Sequence, residues 1–227
     1  DSAPDVVEGG RRMMVGVFKK FVVADTLSLI SLNALNATQI NSPLWAWALI
    51  YAYTLRIYFD FSGYTDIAVG LGRIIGIKLP ENFDAPYLKA DLTTFWNSWH
   101  ITLSQWFRTY LFNPVTRALR SRSVSMMIII FIGQFGTMLL IGLWHGVTWN
   151  FIAWSVWHGV GLFAHNRYLE FAKPRLVVVD EHPKIKCVTD ALGVFLTFHY
   201  VALGWVWFAL PSIDLSLRVF AKLFQIK

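Results

Sequence analysis

Two histidines in apolar surroundings are the residues best suited to chemistry. His100 lies in FWNSWHITLSQW, and His145 lies in IGLWHGVTWNF. An imidazole can accept and return a proton near neutral pH, so it can act as a general base. Each histidine also has a structural interpretation: a hydrogen-bonded core residue for His100, and a glycine-lined helix contact around His145. Because ionisable residues within a membrane are costly and tend to be functional, a functional role is favoured for His100, while both interpretations of His145 stay open on the residues alone.

Side chains near the two histidines are predicted to contact substrate. They are Trp96, Trp99, Ser104, Trp144, Trp149 and Asn150. No metal ligand is predicted, because no two histidines are three or four residues apart and no carboxylate pair accompanies them. His158 follows His145 by 13 residues, about 220° around a continuous helix, so we expect these two rings to face different ways.

The composition limits the class of protein that carries these residues. The chain has 227 residues, of which 56% are hydrophobic and 15% are charged, whereas soluble domains carry about 25% charged residues. This deficit argues against a soluble enzyme, a disordered chain or a nucleic-acid-binding module, despite a net charge of +6. The single Cys187 excludes an intrachain disulfide and a cysteine-based zinc site.

Long uncharged runs indicate helices that cross a lipid bilayer. There are 30 uncharged residues between Asp25 and Arg56, 44 between Arg122 and Arg167, and 23 between Asp190 and Asp214. Roughly 20 apolar residues suffice to span a membrane. We therefore predict an all-α, multi-pass integral membrane bundle in which residues 123–166 form a transmembrane hairpin that carries His145. The basic residues beside the runs are typical of cytoplasmic loops.

Residues 60–113 are predicted to be a re-entrant or interfacial segment, because prolines and aromatic residues interrupt its apolar pattern. Asp91 is a predicted N-cap for a helix that starts at Leu92. From Trp96 to Tyr110, aromatic residues and His100 recur at helical spacing, which predicts one continuous stripe on this helix.

The start of this segment contains glycines and carboxylates that suggest packing more than catalysis. The glycines of GLGRIIG (Gly70, Gly72 and Gly76) predict close helix packing or a bend, since their spacing does not fit a dinucleotide loop. Asp60 and Asp66 are interpreted either as facing a polar funnel or as pairing with Arg56 or Arg73, and the structural pairing is favoured.

Three blocks of the sequence together resemble the membrane-bound O-acyltransferase (MBOAT) family, and in particular its bacterial alginate O-acetyltransferase branch. They are YFDFSGYTDIAVGLGRIIGIKLPENFDAPYL, FWNSWHITLSQWFRTYLFNP and GLWHGVTWNFIAWSVWHG. The resemblance covers essentially the whole of residues 1–227 but only the later part of a family protein, so we expect an incomplete acyltransferase region. It implies a helical bundle with re-entrant segments around a central funnel. It also implies that His145 is the catalytic histidine and that His100 is the second family histidine.

The resemblance further implies acyl transfer from a thioester to a hydroxyl. The favoured substrates are acetyl-CoA, or another acyl thioester, as a co-substrate that is not a bound cofactor, and an exported polysaccharide as the acceptor. An extracytoplasmic esterase-like partner, a location in the bacterial inner membrane and no nucleic acid are also expected. Two alternatives stay open: D-alanyl transfer from a carrier protein to teichoic acid, and a solute transporter or channel.

Overall fold

The structure is a computed structural model that describes the backbone of residues 2–226 and the side chains of residues 5–172 and 181–226. The first and last residues of the predicted 1–227 region therefore lie outside the described residues. The described chain is helical, which confirms the all-α prediction. Its α-helices are α1 (Ser2–Phe18), α2 (Asp25–Ser28), α3 (Ala34–Ala37), α4 (Pro43–Ile74), α5 (Leu92–Ser98), α6 (Ile101–Phe107), α7 (Asn113–Arg120), α8 (Met126–His145), α9 (Trp149–Asp180), α10 (Pro183–Ala209) and α11 (Ile213–Phe224).

The chain divides into two compact units. The first contains the residues up to Phe83 and those from Ala209 onwards, and the second contains the residues from Asp84 to Phe208. In the first unit α1 passes through a π-helical turn, Lys19–Ala24, into α2, and both α1 and α11 pack against α4. The Ser42 side chain accepts a hydrogen bond from the Trp45 N–H, and Pro43 occupies the first position of α4, so local chemistry defines where this long helix starts.

Glycines let the backbones of α1 and α4 touch. A Cβ atom on Gly9 would lie 2.7 Å from the Gly70 carbonyl oxygen, and one on Gly63 would lie 2.8 Å from the Gly16 carbonyl oxygen. Side chains larger than hydrogen would push the two helices apart at both points. This confirms the prediction of close packing for Gly70.

Ion pairs accompany this helix contact. Asp66 is buried, and its two carboxylate oxygens accept from Arg12 at 3.0 Å and from Lys19 at 2.6 Å. Asp60 accepts from Lys20 at 2.6 Å. The prediction of structural pairing for the two aspartates is confirmed. The predicted partners, Arg56 and Arg73, are wrong, because α1 brings its own basic residues to this face of α4.

The helix α4 continues well beyond the predicted boundary at residue 60. It ends at Ile74, followed by Gly76 with a positive φ of 81° and a hydrogen bond of 2.7 Å from the Ile77 N–H to the Gly72 carbonyl oxygen. Gly76 supplies the left-handed conformation that ends many helices. The segment 60–113 therefore begins inside a helix, and its re-entrant or interfacial position stays a prediction.

In the second unit, α8 and α9 form a helical hairpin joined by residues 146–148. A Cβ atom on Gly142 would lie 2.7 Å from the Phe151 carbonyl oxygen, so this glycine allows the close approach expected from the sequence. The helix α9 runs past the predicted end at residue 166. Among the described residues, two helices are long and apolar enough to cross a membrane, α8 and α10.

Candidate active site

The helical conformation of the backbone is interrupted at Trp99 and His100. The helix α5 ends at Ser98, Trp99 is extended, and His100 has a left-handed conformation with φ of 44° before α6 begins at Ile101. The Ser98 carbonyl oxygen accepts from the Asp84 N–H at 3.0 Å, and the Ser104 hydroxyl donates to the Trp99 carbonyl oxygen at 3.4 Å. These bonds satisfy groups that a continuous helix would have paired internally. The predicted single helix from Leu92 onwards is therefore wrong.

The break divides the predicted aromatic stripe into two environments. Trp96 and Trp99, before the break, are buried. Trp106 and Tyr110, after it, are 54% and 67% exposed. A π-helical turn at Arg108–Phe112 rotates the chain once more. Phe107, also after the break, is buried, so the stripe is mostly buried before the break and mixed after it.

His145 is the last residue of α8, and its position depends on the turn that follows. Gly146 continues with extended backbone, and a Cβ atom there would lie 2.7 Å from the Phe151 ring. The Thr148 hydroxyl accepts from the Phe151 N–H at 3.4 Å at the start of α9. His145 is exposed, at the point where helix α8 stops.

The structure brings His100 and His145 together around one indole ring. The Trp144 ring lies 6.3 Å from the His100 ring and 4.7 Å from the His145 ring, measured between centroids. His100 is half-buried and is therefore less accessible to solvent than His145.

Aromatic rings also surround His145 on the side of the hairpin. Its ring lies 5.9 Å from Phe151, 5.8 Å from Trp154 and 4.9 Å from Phe208. These contacts hold the imidazole by its faces and edges, and they leave a route to it from outside.

A third histidine, His158 of α9, is fully buried. Its ring contacts Trp96 at 5.1 Å and Trp154 at 5.0 Å, and neither ring nitrogen has a hydrogen-bond partner in the described part of the chain. Trp154 also contacts His145, so both histidines meet the same indole. The expectation that they face different ways is wrong, because the turn at 146–148 interrupts the helix on which the 220° was counted.

A cavity of about 250 Å³ lies beside this cluster. Two of the predicted substrate-binding residues, Trp96 and Ser104, line it together with Ile141 of α8. Asn97 and Arg108 also line it and are exposed, and the Arg108 guanidinium donates to the Asn97 side-chain oxygen. The cavity is thus mostly apolar with a polar, positively charged edge.

The remaining predicted substrate-binding residues have different environments. Trp144 and Trp149 are 58% and 75% exposed at the His145 end of the hairpin, where a substrate could reach them. Asn150 is buried and donates to the Trp207 carbonyl oxygen at 3.1 Å, which joins α9 to α10. Trp99 is buried against Trp205. Substrate contact by these four residues stays a prediction.

Asp91 connects the start of α5 to α9. Its side chain accepts from the Thr94 N–H at 2.9 Å, which confirms the predicted N-cap, and its Oδ1 lies 3.4 Å from His165 Nε2. Partial burial alone would raise the pKa of Asp91. The nearby His165 imidazole and the hydrogen bonds from Thr94 outweigh burial and lower that pKa to about 2. The carboxylate is therefore charged at any physiological pH.

Several parts of this arrangement were missed by sequence reasoning. Trp154 and Phe208 were not singled out, although both contact His145. A usable signal was present: Asn150, Trp154, His158 and His165 recur along one face of α9. In the described residues, no group of three or more histidine, cysteine, aspartate or glutamate side chains could hold a metal ion.

Comparisons with known proteins place the chain in a family. The model of MBOAT, the membrane-bound O-acyltransferase family, matches residues 10–207. The chain is 38% identical to the probable alginate O-acetylase AlgI of Azotobacter vinelandii over 96% of its own length and 40% of the relative's. It is 34% identical to the peptidoglycan O-acetyltransferase of Helicobacter pylori, over 90% and 36% of the respective chains.

A third relative is named for a different activity. The chain is 32% identical to the teichoic acid D-alanyltransferase of Streptococcus thermophilus over 87% of its own length and 50% of that protein. The chain thus spans between about a third and a half of the length of these relatives.

Proposed function

Since the chain belongs to the membrane-bound O-acyltransferase family, we propose that it is the part of a membrane O-acetyltransferase in which the acyl group is transferred. The observation that carries the proposal is the meeting of His100 and His145 around Trp144, with His145 accessible at the end of α8. A general base must reach the proton that it removes, and an exposed imidazole at a helix end can do so.

In the proposed reaction, His145 accepts the proton of an acceptor hydroxyl while the hydroxyl oxygen attacks the carbonyl carbon of an acyl thioester. The oxygen of the resulting tetrahedral intermediate is negatively charged, and His100 stabilises it or orients the donor. The intermediate collapses with cleavage of the carbon–sulfur bond. The thiolate then takes the proton from His145, which returns the imidazole to its neutral form.

The proposed donor is acetyl-CoA or another acyl thioester, and the proposed acceptor is an exported polysaccharide. Similarity to the alginate O-acetylase of Azotobacter vinelandii and the peptidoglycan O-acetyltransferase of Helicobacter pylori supports O-acetyl transfer. We further propose a multi-pass bundle in the bacterial inner membrane with a funnel at the histidines, and an extracytoplasmic esterase-like partner. Two apolar helices long enough to cross a bilayer support the membrane location.

A second candidate is D-alanyl transfer from a carrier protein, supported by the similarity to a teichoic acid D-alanyltransferase. Acetyl-CoA and a D-alanyl carrier protein, each offered with a radiolabelled acyl group, would separate the two candidates. Membership of the acyltransferase family favours either enzyme over the transporter interpretation.

The proposed role of His145 is tested by the His145→Ala substitution in the full-length protein. We expect acyl transfer to fall by about 10²- to 10⁴-fold, the usual contribution of a general base. The measurement is transfer of labelled acetyl to polysaccharide by membranes that contain equal amounts of inserted protein.

His182→Ala is the matched control, because His182 is an exposed histidine in the turn before α10. The control variant should keep wild-type activity. Transfer by His145→Ala at the wild-type rate would show that this imidazole is not the base.

A further inference from the structure

Three arginines at the end of α7 have no acidic side chain to neutralise them. Arg117 and Arg120 lie in the last turn of this helix, Arg122 lies in the turn that follows, and all three are exposed. The sequence contains no Asp or Glu between Asp91 and Glu170. None of the ion pairs among the described residues includes these arginines. Together the three form the arginine surface.

The carboxylates at the two ends of this stretch are engaged elsewhere. Asp91 accepts from the Thr94 N–H at the start of α5 and lies 3.4 Å from His165. Glu170 pairs with Arg167 on its own helix. Because like charges repel one another, an arginine surface without acidic neighbours favours an anion that comes from outside the chain.

The packing of α7 on α8 determines where this surface lies. A Cβ atom on Gly133 of α8 would lie 2.7 Å from the Phe112 ring and 3.2 Å from Thr116 Cγ2, and Thr116 is buried. The helix α7 therefore runs beside the first two turns of α8. At its other end, Arg120 Nη2 lies 3.9 Å from Sδ of Met126, the first residue of α8. The arginine surface is thus next to the start of α8.

The start of α8 is apolar and exposed. This helix is long and apolar enough to cross a membrane. Five of its early side chains are between 41% and 54% exposed: Met126, Met127, Ile128, Phe131 and Ile132. In a bilayer such a helix spans the hydrocarbon core of about 30 Å, so its first turn lies where the hydrocarbon meets the headgroups. Arginine side chains at this level extend towards the headgroups.

We propose that the arginine surface binds the phosphate groups of anionic phospholipids at the end of α8. A guanidinium can donate two parallel hydrogen bonds to a phosphate, and anionic headgroups attract basic residues that flank a membrane helix. This inference depends on the membrane location of the family. It does not depend on the proposed acyl transfer.

The test is the stabilisation of the purified full-length protein in detergent by added lipid. A ligand that binds only the folded state raises the melting temperature, and the titration gives an apparent Kd. Dioleoylphosphatidylglycerol carries a net negative charge, whereas dioleoylphosphatidylcholine has the same acyl chains and no net charge. We expect the apparent Kd of the first lipid to be about 10- to 100-fold lower, since each basic residue near an anionic headgroup contributes about fivefold.

Replacing all three arginines, Arg117→Gln, Arg120→Gln and Arg122→Gln, should abolish this preference, so that both lipids stabilise the protein alike. Glutamine is suitable because it is polar, uncharged and a good helix former. Should the triple variant fail to fold, each single variant is measured instead. Each should raise the apparent Kd of phosphatidylglycerol by about fivefold.

A second triple variant, Lys184→Gln, Arg218→Gln and Lys222→Gln, is the matched control. It also removes three exposed positive charges, but from α10 and α11. The preference for phosphatidylglycerol should persist in this variant, because the arginine surface is intact.

Three outcomes would overturn the proposal. The first is a wild-type protein that both lipids stabilise equally. The second is a preference for phosphatidylglycerol that survives in the arginine variants or is lost equally in the control. The third is an arginine variant that keeps the lipid preference but is no longer stabilised by acetyl-CoA, which would assign the surface to the acyl donor. Acyl transfer is measured separately, so a failure of the proposed function would leave the lipid preference in place.

Discussion

At the scale of the residue, His100 combines a left-handed backbone conformation with an imidazole side chain. A left-handed conformation costs a residue with a Cβ atom roughly 1–2 kcal/mol, and glycine avoids this cost. His100 has a φ of 44° and therefore bears this conformational cost. The strain and the imidazole can therefore be tested apart from each other.

We expect His100→Gly to be about 1 kcal/mol more stable than His100→Ala, because alanine retains the strained backbone and glycine does not. Both variants lack the imidazole, so both should lose acyl transfer to the same extent. Thermal unfolding in detergent measures the first effect, and labelled acetyl transfer measures the second. Equal stability of the two variants would contradict the strain, and unequal activity would show that the backbone itself takes part.

The sequence identified His100 as a candidate residue but did not predict its geometry. The residue type and its aromatic neighbours indicated a reactive site. The break itself has no glycine or proline, and it is made by hydrogen bonds from distant residues, such as that of the Asp84 N–H to the Ser98 carbonyl oxygen. Helical periodicity counts only local spacing, so it continued the helix through the break.

At the scale of the element, the packing of α1 on α4 depends on which glycines face the partner helix. Gly9 and Gly10 are neighbours in α1, but a Cβ atom on Gly9 would lie 2.7 Å from the Gly70 carbonyl oxygen, whereas one on Gly10 would meet nothing within 4 Å. The same chemical change at the two positions therefore has opposite consequences.

We expect Gly9→Ala to destabilise the protein by about 1–3 kcal/mol, since the added methyl group forces the two backbones apart. Gly10→Ala should be neutral or stabilising by up to about 1 kcal/mol, because alanine favours a helix more than glycine does. Thermal unfolding of the two variants in the same detergent is the measurement. A loss of stability in Gly10→Ala equal to that in Gly9→Ala would show that the contact does not discriminate between them.

For the elements, sequence reasoning succeeded where local chemistry decides and failed where a partner helix decides. Asp91 was predicted as an N-cap from its type and place, and Gly70 as a packing residue. The partners of Asp60 and Asp66 were assigned to α4's own arginines. The actual partners, Arg12, Lys19 and Lys20, belong to α1 and its π-helical turn.

At the scale of the whole molecule, the predicted topology follows from the lengths of α8 and α9. A helix of 20 residues such as α8 is about 30 Å long, which matches the apolar core of a bilayer. The 32 residues of α9 exceed that thickness. If both cross the membrane, the turn at 146–148 lies on one side and the outer ends of the hairpin lie on the other.

This topology can be tested with cysteines in a background that lacks other thiols. Ser121→Cys, before α8, and the natural Cys187, in α10, are both exposed and should react with a membrane-impermeant maleimide from the same side. Val147→Cys, in the turn, should react from the opposite side. Labelling of all three positions from one side would contradict a transmembrane hairpin.

The uncharged runs predicted the hairpin and the last apolar helix, because hydrophobicity alone determines which segments can lie in lipid. They did not predict that His145, His158 and Trp154 meet, because that contact depends on a three-residue turn whose direction no periodicity encodes. The candidate histidines were therefore chosen by residue type, and their mutual placement required the structure.

The glycine contacts between α1 and α4 also determine where residues can be inserted into or deleted from these two helices. Gly9 meets Gly70 and Gly16 meets Gly63, so two contacts seven residues apart lock the antiparallel helices in one register. Inserting or deleting a single residue between Gly9 and Gly16, or between Gly63 and Gly70, would bring a larger side chain against a backbone. It would also separate Asp66 from its basic partners. Length variation tolerated by this pair of helices must therefore fall outside these two intervals.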